Sequence, residues 1–124
     1  MNILLVSSDY PFANVLGFGL SLKGMGVLIA KSYEEAKAIV SNAIGKIDAM
    51  VVDYLLNGDK NGLDLVWDLK KDTPNIPKIL ITPIKEERLF KEARSIGCNG
   101  ILCKPVTVDE ILSQIKNQGV DRCT

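Results

Sequence analysis

Three polar residues close apolar runs, and their types suit the capture of an anionic group. Asp53 ends Met50-Val51-Val52 and precedes a loop that runs from Tyr54 through Leu55, Asn57 and Gly58 to Gly62. Thr82 closes Ile79-Leu80-Ile81, and Lys104 closes Ile101-Leu102-Cys103 just before Pro105. A carboxylate can act as a nucleophile, while an ammonium and a hydroxyl can steady a group rich in negative oxygens. Strand ends that open into loops are where open α/β sheets carry their chemistry. Taken singly, each residue has an ordinary role, as a turn carboxylate, a β-branched strand residue and a solvated lysine. Their convergence is the functional hypothesis.

The elements that would position them alternate strand and helix along the chain. Ile3–Val6 reads as a first strand, and Asp9 as the cap of a helix that tolerates Pro11 in its first turn. Phe12, Val15, Leu16 and Leu20 are expected as that helix's inner stripe, with Gly17 and Gly19 accounted for by close packing on the sheet. A second strand, Val27–Ala30, precedes the capping box Ser32-Tyr33-Glu34-Glu35 and a helix ended by Gly45. Ile47–Val52 reads as strand three. Gly62 opens a helix with Leu65, Val66 and Leu69 inside, which stops before Pro74. Lys78–Ile81 is the fourth strand, and Leu89, Phe90, Ala93 and Ile96 share one face of the next helix. Ile101–Cys103 is the fifth strand, followed by the capping box Thr107-Val108-Asp109-Glu110 and a helix carrying Ile111, Leu112 and Ile115. Near-continuous Val/Ile/Leu strands imply a parallel sheet covered on both faces, and right-handed crossovers make it doubly wound. Residues 1–118 are expected to form one α/β domain and 119–124 a frayed tail or the start of a linker.

Bulk properties narrow the function. The chain has 124 residues, 47% of them hydrophobic, enough for one folded core. Lys+Arg and Asp+Glu both total 15, which argues against nucleic acid or an anionic membrane as the main partner. No apolar stretch approaches the ~20 residues of a membrane span. The absence of histidine excludes mixed Cys/His zinc sites and makes a catalytic triad untenable. Cys98, Cys103 and Cys123 are expected to be reduced, as in a cytoplasmic protein.

With these residues in place, the chain resembles the receiver domain of bacterial two-component response regulators over nearly its full length. The resemblance implies a flavodoxin-like (βα)5 domain with strand order 2-1-3-4-5 and a switch point beside Asp53. It implies that Asp53 accepts a phosphoryl group, with Thr82 and Lys104 holding the transferred oxygens. Gly62 matches the glycine that opens the third helix, and Lys104-Pro105 the family's Lys-Pro pair, whose bond is usually cis. The implied partners are a sensor histidine kinase or histidine phosphotransfer protein and a downstream protein. It implies a signalling module rather than an enzyme.

Two departures accompany the match. Receivers normally carry an acidic pair after the first strand that helps to hold a divalent metal; Ser7 and Ser8 stand there, with Asp9 next. The usual site carries about −2 before metal, and this one sits near zero, so Mg2+ binding is expected to be weak or absent, with Asp9, Asp53 and Leu55 as the remaining candidate ligands. Ile101 occupies a position where many receivers have an aromatic ring that turns as the switch operates. Two readings therefore stand: a receiver phosphorylated on Asp53, and an atypical receiver that binds partners without phosphorylation. A flavin carrier on the same fold is a third, supported only by two serines after the first strand.

Overall fold

Short runs rich in Val, Ile and Leu form parallel strands here because helices cover both of their faces. The computed structural model describes residues 1–117, and the expected tail lies outside them. In chain order the elements are β1 (Asn2–Val6), α1 (Tyr10–Leu22), β2 (Gly26–Ala30), α2 (Tyr33–Ala43), β3 (Ala49–Asp53), α3 (Gly62–Leu69), β4 (Lys78–Thr82), α4 (Glu87–Ser95), β5 (Gly100–Cys103) and α5 (Val108–Asn117). All strand pairs are parallel, in the expected order β2-β1-β3-β4-β5.

Period-two alternation divides the core into two layers. Leu4, Val6, Met50, Val52, Leu80 and Ile101 pack under α2, α3 and α4. Ile3, Leu5, Val51, Ile79, Ile81 and Leu102 face the opposite way and pack under α1 and α5. The central strands β3 and β4 are buried at every position, Asp53 and Thr82 included. A polar residue at the end of such a strand is thus held by backbone on both sides.

Local signals set the helix starts. Asp9 caps α1 by accepting from the Phe12 N–H at 3.3 Å. The Thr107 hydroxyl and the Glu110 carboxylate close a reciprocal box at the start of α5. A further box, unread in the sequence, opens α3: Asn61 accepts from the Asp64 N–H and Asp64 from the Asn61 N–H.

Three expectations need correction. Val15 does not lie on the inner stripe of α1: it is 74% exposed, and Ala13, Leu16, Gly17 and Leu20 are the buried positions. A helix apolar on nearly every face gives no contrast from which to read its inner side. Strand three starts at Ala49, because a 3-10 turn at Ile44–Lys46 follows α2, and Ile47 joins the core without joining the ladder. Cys103 is in a disulfide, whereas Cys98 is free and buried.

Candidate functional site at the carboxyl ends of the strands

The strand order reverses direction between β1 and β3, and their carboxyl ends meet there. The register pairs Val6 with Val52, so the residues that follow, Ser7 and Asp53, emerge side by side. Both are buried, Ser7 to 1% and Asp53 to 4% exposure. The Ser7 hydroxyl donates to Asp53 Oδ2 at 2.5 Å. Lys104, at the mouth of β5, reaches the same carboxylate, its Nζ lying 3.2 Å from Oδ1 and 3.3 Å from Oδ2. Oδ1 has this ionic contact but accepts no hydrogen bond. The Lys104-Pro105 peptide is cis, matching the family pattern.

Burial is the largest influence on Asp53 and pushes its carboxyl above the ordinary range. The Ser7 hydrogen bond and the Lys104 charge oppose that rise, and Asp9 adds to it slightly. The group is therefore a carboxylate that burial makes costly to ionise, held charged by one hydroxyl and one ammonium. Lys104 Nζ also lies 4.1 Å from the centre of the Phe12 ring, a cation–π contact absent from the sequence reading.

Thr82 stands one strand further along. Asp53 pairs with Ile81 in the ladder, and the Thr82 hydroxyl oxygen accepts from the Ile84 N–H at 3.0 Å within its own loop. The structure thus unites Ser7, Asp53 and Lys104 directly, while the Thr82 hydroxyl serves the β4–α4 turn. The backbone ties the last two ends together, Lys104 N–H donating to the Thr82 carbonyl at 2.9 Å.

Ser8 has a different task. Its hydroxyl donates to the Lys31 carbonyl at 3.0 Å and accepts from the Asn57 N–H at 3.0 Å. One side chain therefore pins the loops after β1, β2 and β3 to each other. Asp9 is turned to its helix cap, and its own N–H donates to the Ser7 hydroxyl oxygen at 3.1 Å. Leu55 lies in the exposed loop after Asp53. That loop can close only because Gly62 returns against it: its N–H donates to the Tyr54 carbonyl, and a Cβ there would fall 2.2 Å from the Asp53 carbonyl oxygen.

Mg2+ favours several carboxylate oxygens in near-octahedral array. Here a single buried carboxylate is engaged by a hydroxyl and an ammonium, and two hydroxyls stand in the place of acids. Among the described residues, no group of three or more His, Cys, Asp or Glu side chains is placed to hold a metal. The donor set present does not fit Mg2+.

A doubly wound parallel sheet thus sets a buried strand-end aspartate against a lysine at its switch point. The sequence matches the response regulator receiver domain model over residues 3–116, and the chain belongs to that family. It is 31% identical over 114 residues to the transcriptional regulatory protein KdpE of Staphylococcus aureus, covering 92% of this chain and 48% of that protein. It is 28% identical over 116 residues to the phosphate regulon transcriptional regulatory protein PhoB of Pseudomonas aeruginosa, covering 92% of this chain and 49% of the other. The chain thus spans about half the length of these relatives. Among solved structures, a CheY-like receiver domain protein from Methanospirillum hungatei superposes with a TM-score of 0.85 at 25% identity, covering 94% of this chain and 90% of that one. A Burkholderia pseudomallei response regulator with a phosphorylated aspartic acid, calcium ion and citrate gives 0.85 at 27% identity, covering 92% and 65%. The protein is a receiver domain of the two-component signalling class. Among the described residues no helix is long and apolar enough to cross a membrane.

Proposed function

We propose that Asp53 is a phosphoryl acceptor that works without a firmly bound divalent cation, and that the domain signals by protein contact. The observation that carries this reading is the Asp53–Lys104 ion pair at the switch point, which leaves Oδ1 without a hydrogen bond. In the transfer, Oδ1 attacks the phosphorus of a phosphohistidine on a kinase or phosphotransfer protein. The new O–P bond forms as the P–N bond breaks, and the imidazole nitrogen keeps the electron pair and takes a proton. Lys104 then shifts from the carboxylate to a phosphoryl oxygen. Thr82 exchanges its contact with the Ile84 N–H for one to the same group. Mg2+ binding is weak or absent, so transfer is slow, because less of the developing charge is neutralised. The cytoplasm is the proposed setting.

One observation favours the second reading, a receiver that binds partners without phosphorylation. The Ser7 hydroxyl at 2.5 Å occupies Asp53 Oδ2, and the carboxylate is only 4% exposed. Intact-protein mass after incubation with acetyl phosphate, with and without Mg2+, separates the two. A gain of one phosphoryl group that Asp53→Ala abolishes supports the acceptor reading, and its persistence without Mg2+ supports the metal-poor site. No gain under either condition leaves the binding module.

A further inference from the structure

Lys78 opens β4 and is only 5% exposed, a buried charge that needs a partner. Its ammonium donates to the Thr73 carbonyl at 2.7 Å and to the Ile76 carbonyl at 3.0 Å. Those two bonds tie down the α3–β4 loop and leave one N–H of the three. Among the described residues no carboxylate pairs with it. The nearby Cys98 thiol, pushed up to about 12, is neutral and supplies no negative charge. Burial accordingly pulls Lys78 below the ordinary lysine range, and the Lys70 charge pulls it the same way. Lys78 lines a cavity of about 770 Å3 at the amino ends of β4 and β5, together with Trp67, Lys70, Lys71, Ile76 and Asn99. Backbone fixes one rim: the Lys78 N–H donates to Asn99 Oδ1 at 2.9 Å, and the Asn99 N–H to the Lys78 carbonyl at 2.8 Å. Asp68 also borders the cavity, but its carboxylate accepts from the Tyr33 hydroxyl and pairs with Lys60 at 3.7 Å. The carbonyl end of α3 accounts for Lys70 and Lys71 as ordinary helix-end cations. It does not account for a buried charge in a strand.

We propose that this cavity binds a small phosphate monoester carrying a planar ring, with the phosphate on Lys78, Lys70 and Lys71 and the ring on Trp67. The volume suits such a ligand, since small-molecule sites span roughly 300–1,000 Å3. A phosphate monoester carries a charge of about −2 at neutral pH and several strong acceptor oxygens, so it faces three ammonium groups at once. A lone carboxylate would leave part of that charge unbalanced. Trp67 supplies the other half of the site. Its indole is 59% exposed, and Lys70 Nζ rests 5.5 Å from the ring centre in a cation–π contact. In the bound arrangement Lys70 swings from the indole to the phosphate, and the freed face takes the ligand's ring. A nucleic acid strand is a poorer occupant, because Lys+Arg and Asp+Glu both total 15 and the lysines gather at a cavity rather than along a track. The cavity lies at the amino ends of the strands, whereas Asp53, Thr82 and Lys104 stand at or just beyond the carboxyl ends. Binding there is additional to phosphoryl acceptance and does not rest on it.

Trp67 is the one tryptophan of the chain, so its fluorescence reports this site directly. Titrations of the full chain use adenosine monophosphate and phenyl phosphate, with adenosine and inorganic phosphate as controls that each carry half of the chemistry. The expected result is saturable quenching by both esters, half complete on the order of 100 µM. Each control should bind at least about tenfold more weakly. Lys78→Met removes the charge at similar side-chain volume and should weaken adenosine monophosphate about tenfold or more. Far-UV circular dichroism verifies that this variant is folded. Lys70→Gln and Lys71→Gln, at exposed positions, should each weaken it roughly threefold and carry the test if Lys78→Met does not fold. No saturable response to either ester overturns the proposal. Inorganic phosphate that binds as tightly as the esters overturns the role of Trp67, and adenosine that does so overturns the role of the lysines. Binding that survives all the folded lysine variants lies elsewhere and overturns the site. None of these variants touches Asp53, Thr82 or Lys104, so failure here leaves phosphoryl acceptance standing.

Discussion

Ser7 decides the chemical character of Asp53 more than any other single residue. Its hydroxyl supplies the one short hydrogen bond to a carboxylate that burial has already driven toward its protonated form. Ser7→Ala removes that donor, and the Asp53 carboxyl is expected to titrate at still higher pH. A carbon-13 NMR titration of the side-chain carboxyl measures this, and an unmoved titration would mean that Lys104 alone sustains the charge. The same shift has a consequence for stability. An acid whose folded pKa lies above its unfolded value stabilises the fold when protonated and costs stability once pH rises through the folded value. Asp53→Asn is therefore expected to be more stable than wild type at pH 7. The difference should fade as pH falls through the raised folded pKa and vanish below the unfolded value near ~3.9. Urea unfolding at several pH values gives the comparison, and a pH-independent difference would contradict the burial argument. Asp53 and Lys104 were legible in the sequence because each ends an apolar run. The Ser7 contact was not, since it depends on β1 and β3 being neighbours in register, a relation 46 residues apart.

At the scale of elements, the loops around the site are held by backbone approach and shared hydroxyls. Gly62 is the tightest point: α3 begins so close to the end of β3 that a methyl group would meet the Asp53 carbonyl oxygen and carbon. Gly62→Ala is expected to cost roughly 2–4 kcal/mol, since rigid backbone rather than a mobile side chain must yield. The urea midpoint reports the loss, and a change under 0.5 kcal/mol, the scatter of ordinary surface changes, would show that the loop relaxes freely. Cys98 tests the same layer at its α4 end. It is buried against the α4 side of the sheet, where desolvation pushes its thiol up to about 12. Being neither exposed nor ionised, it should resist a thiol reagent such as DTNB until the protein unfolds. Rapid labelling in native buffer would mean that the α4–β5 corner opens locally. Element type was plain wherever polarity alternated or a capping box stood, as for α2 and α5. The orientation of α1 is not legible, because apolar groups surround the helix and nothing in the pattern sets exposed Val15 apart from buried Leu16.

For the whole molecule, the charge removed from the switch point changes how stability depends on divalent cations. A ligand that binds only the folded state raises stability by RT ln(1 + [L]/Kd), so a chain with no fitting cation site gains nothing from millimolar Mg2+. Thermal unfolding of the wild type is expected to have the same midpoint with and without Mg2+. Ser7→Asp combined with Ser8→Asp would set two carboxylates beside Asp53, near the Asp9 charge that already pushes its titration upward. Without metal, that variant should melt lower than wild type. Like charges then crowd a buried corner, and the Ser8 donor to the Lys31 carbonyl is lost. With saturating Mg2+ it should regain roughly 4–8 °C, the shift that about 1–2 kcal/mol produces in a domain of this size. The comparison is internal to one fold, because the strand order, the buried carboxylate and Lys104 stay as they are. A wild-type midpoint that rises with Mg2+ would show that Asp9 and backbone oxygens suffice to build a cation site, and the metal-poor reading of this receiver would fall. A double variant that Mg2+ fails to lift would instead mean that the Ser8 staple, through Lys31 and Asn57, sets the loop geometry a cation requires.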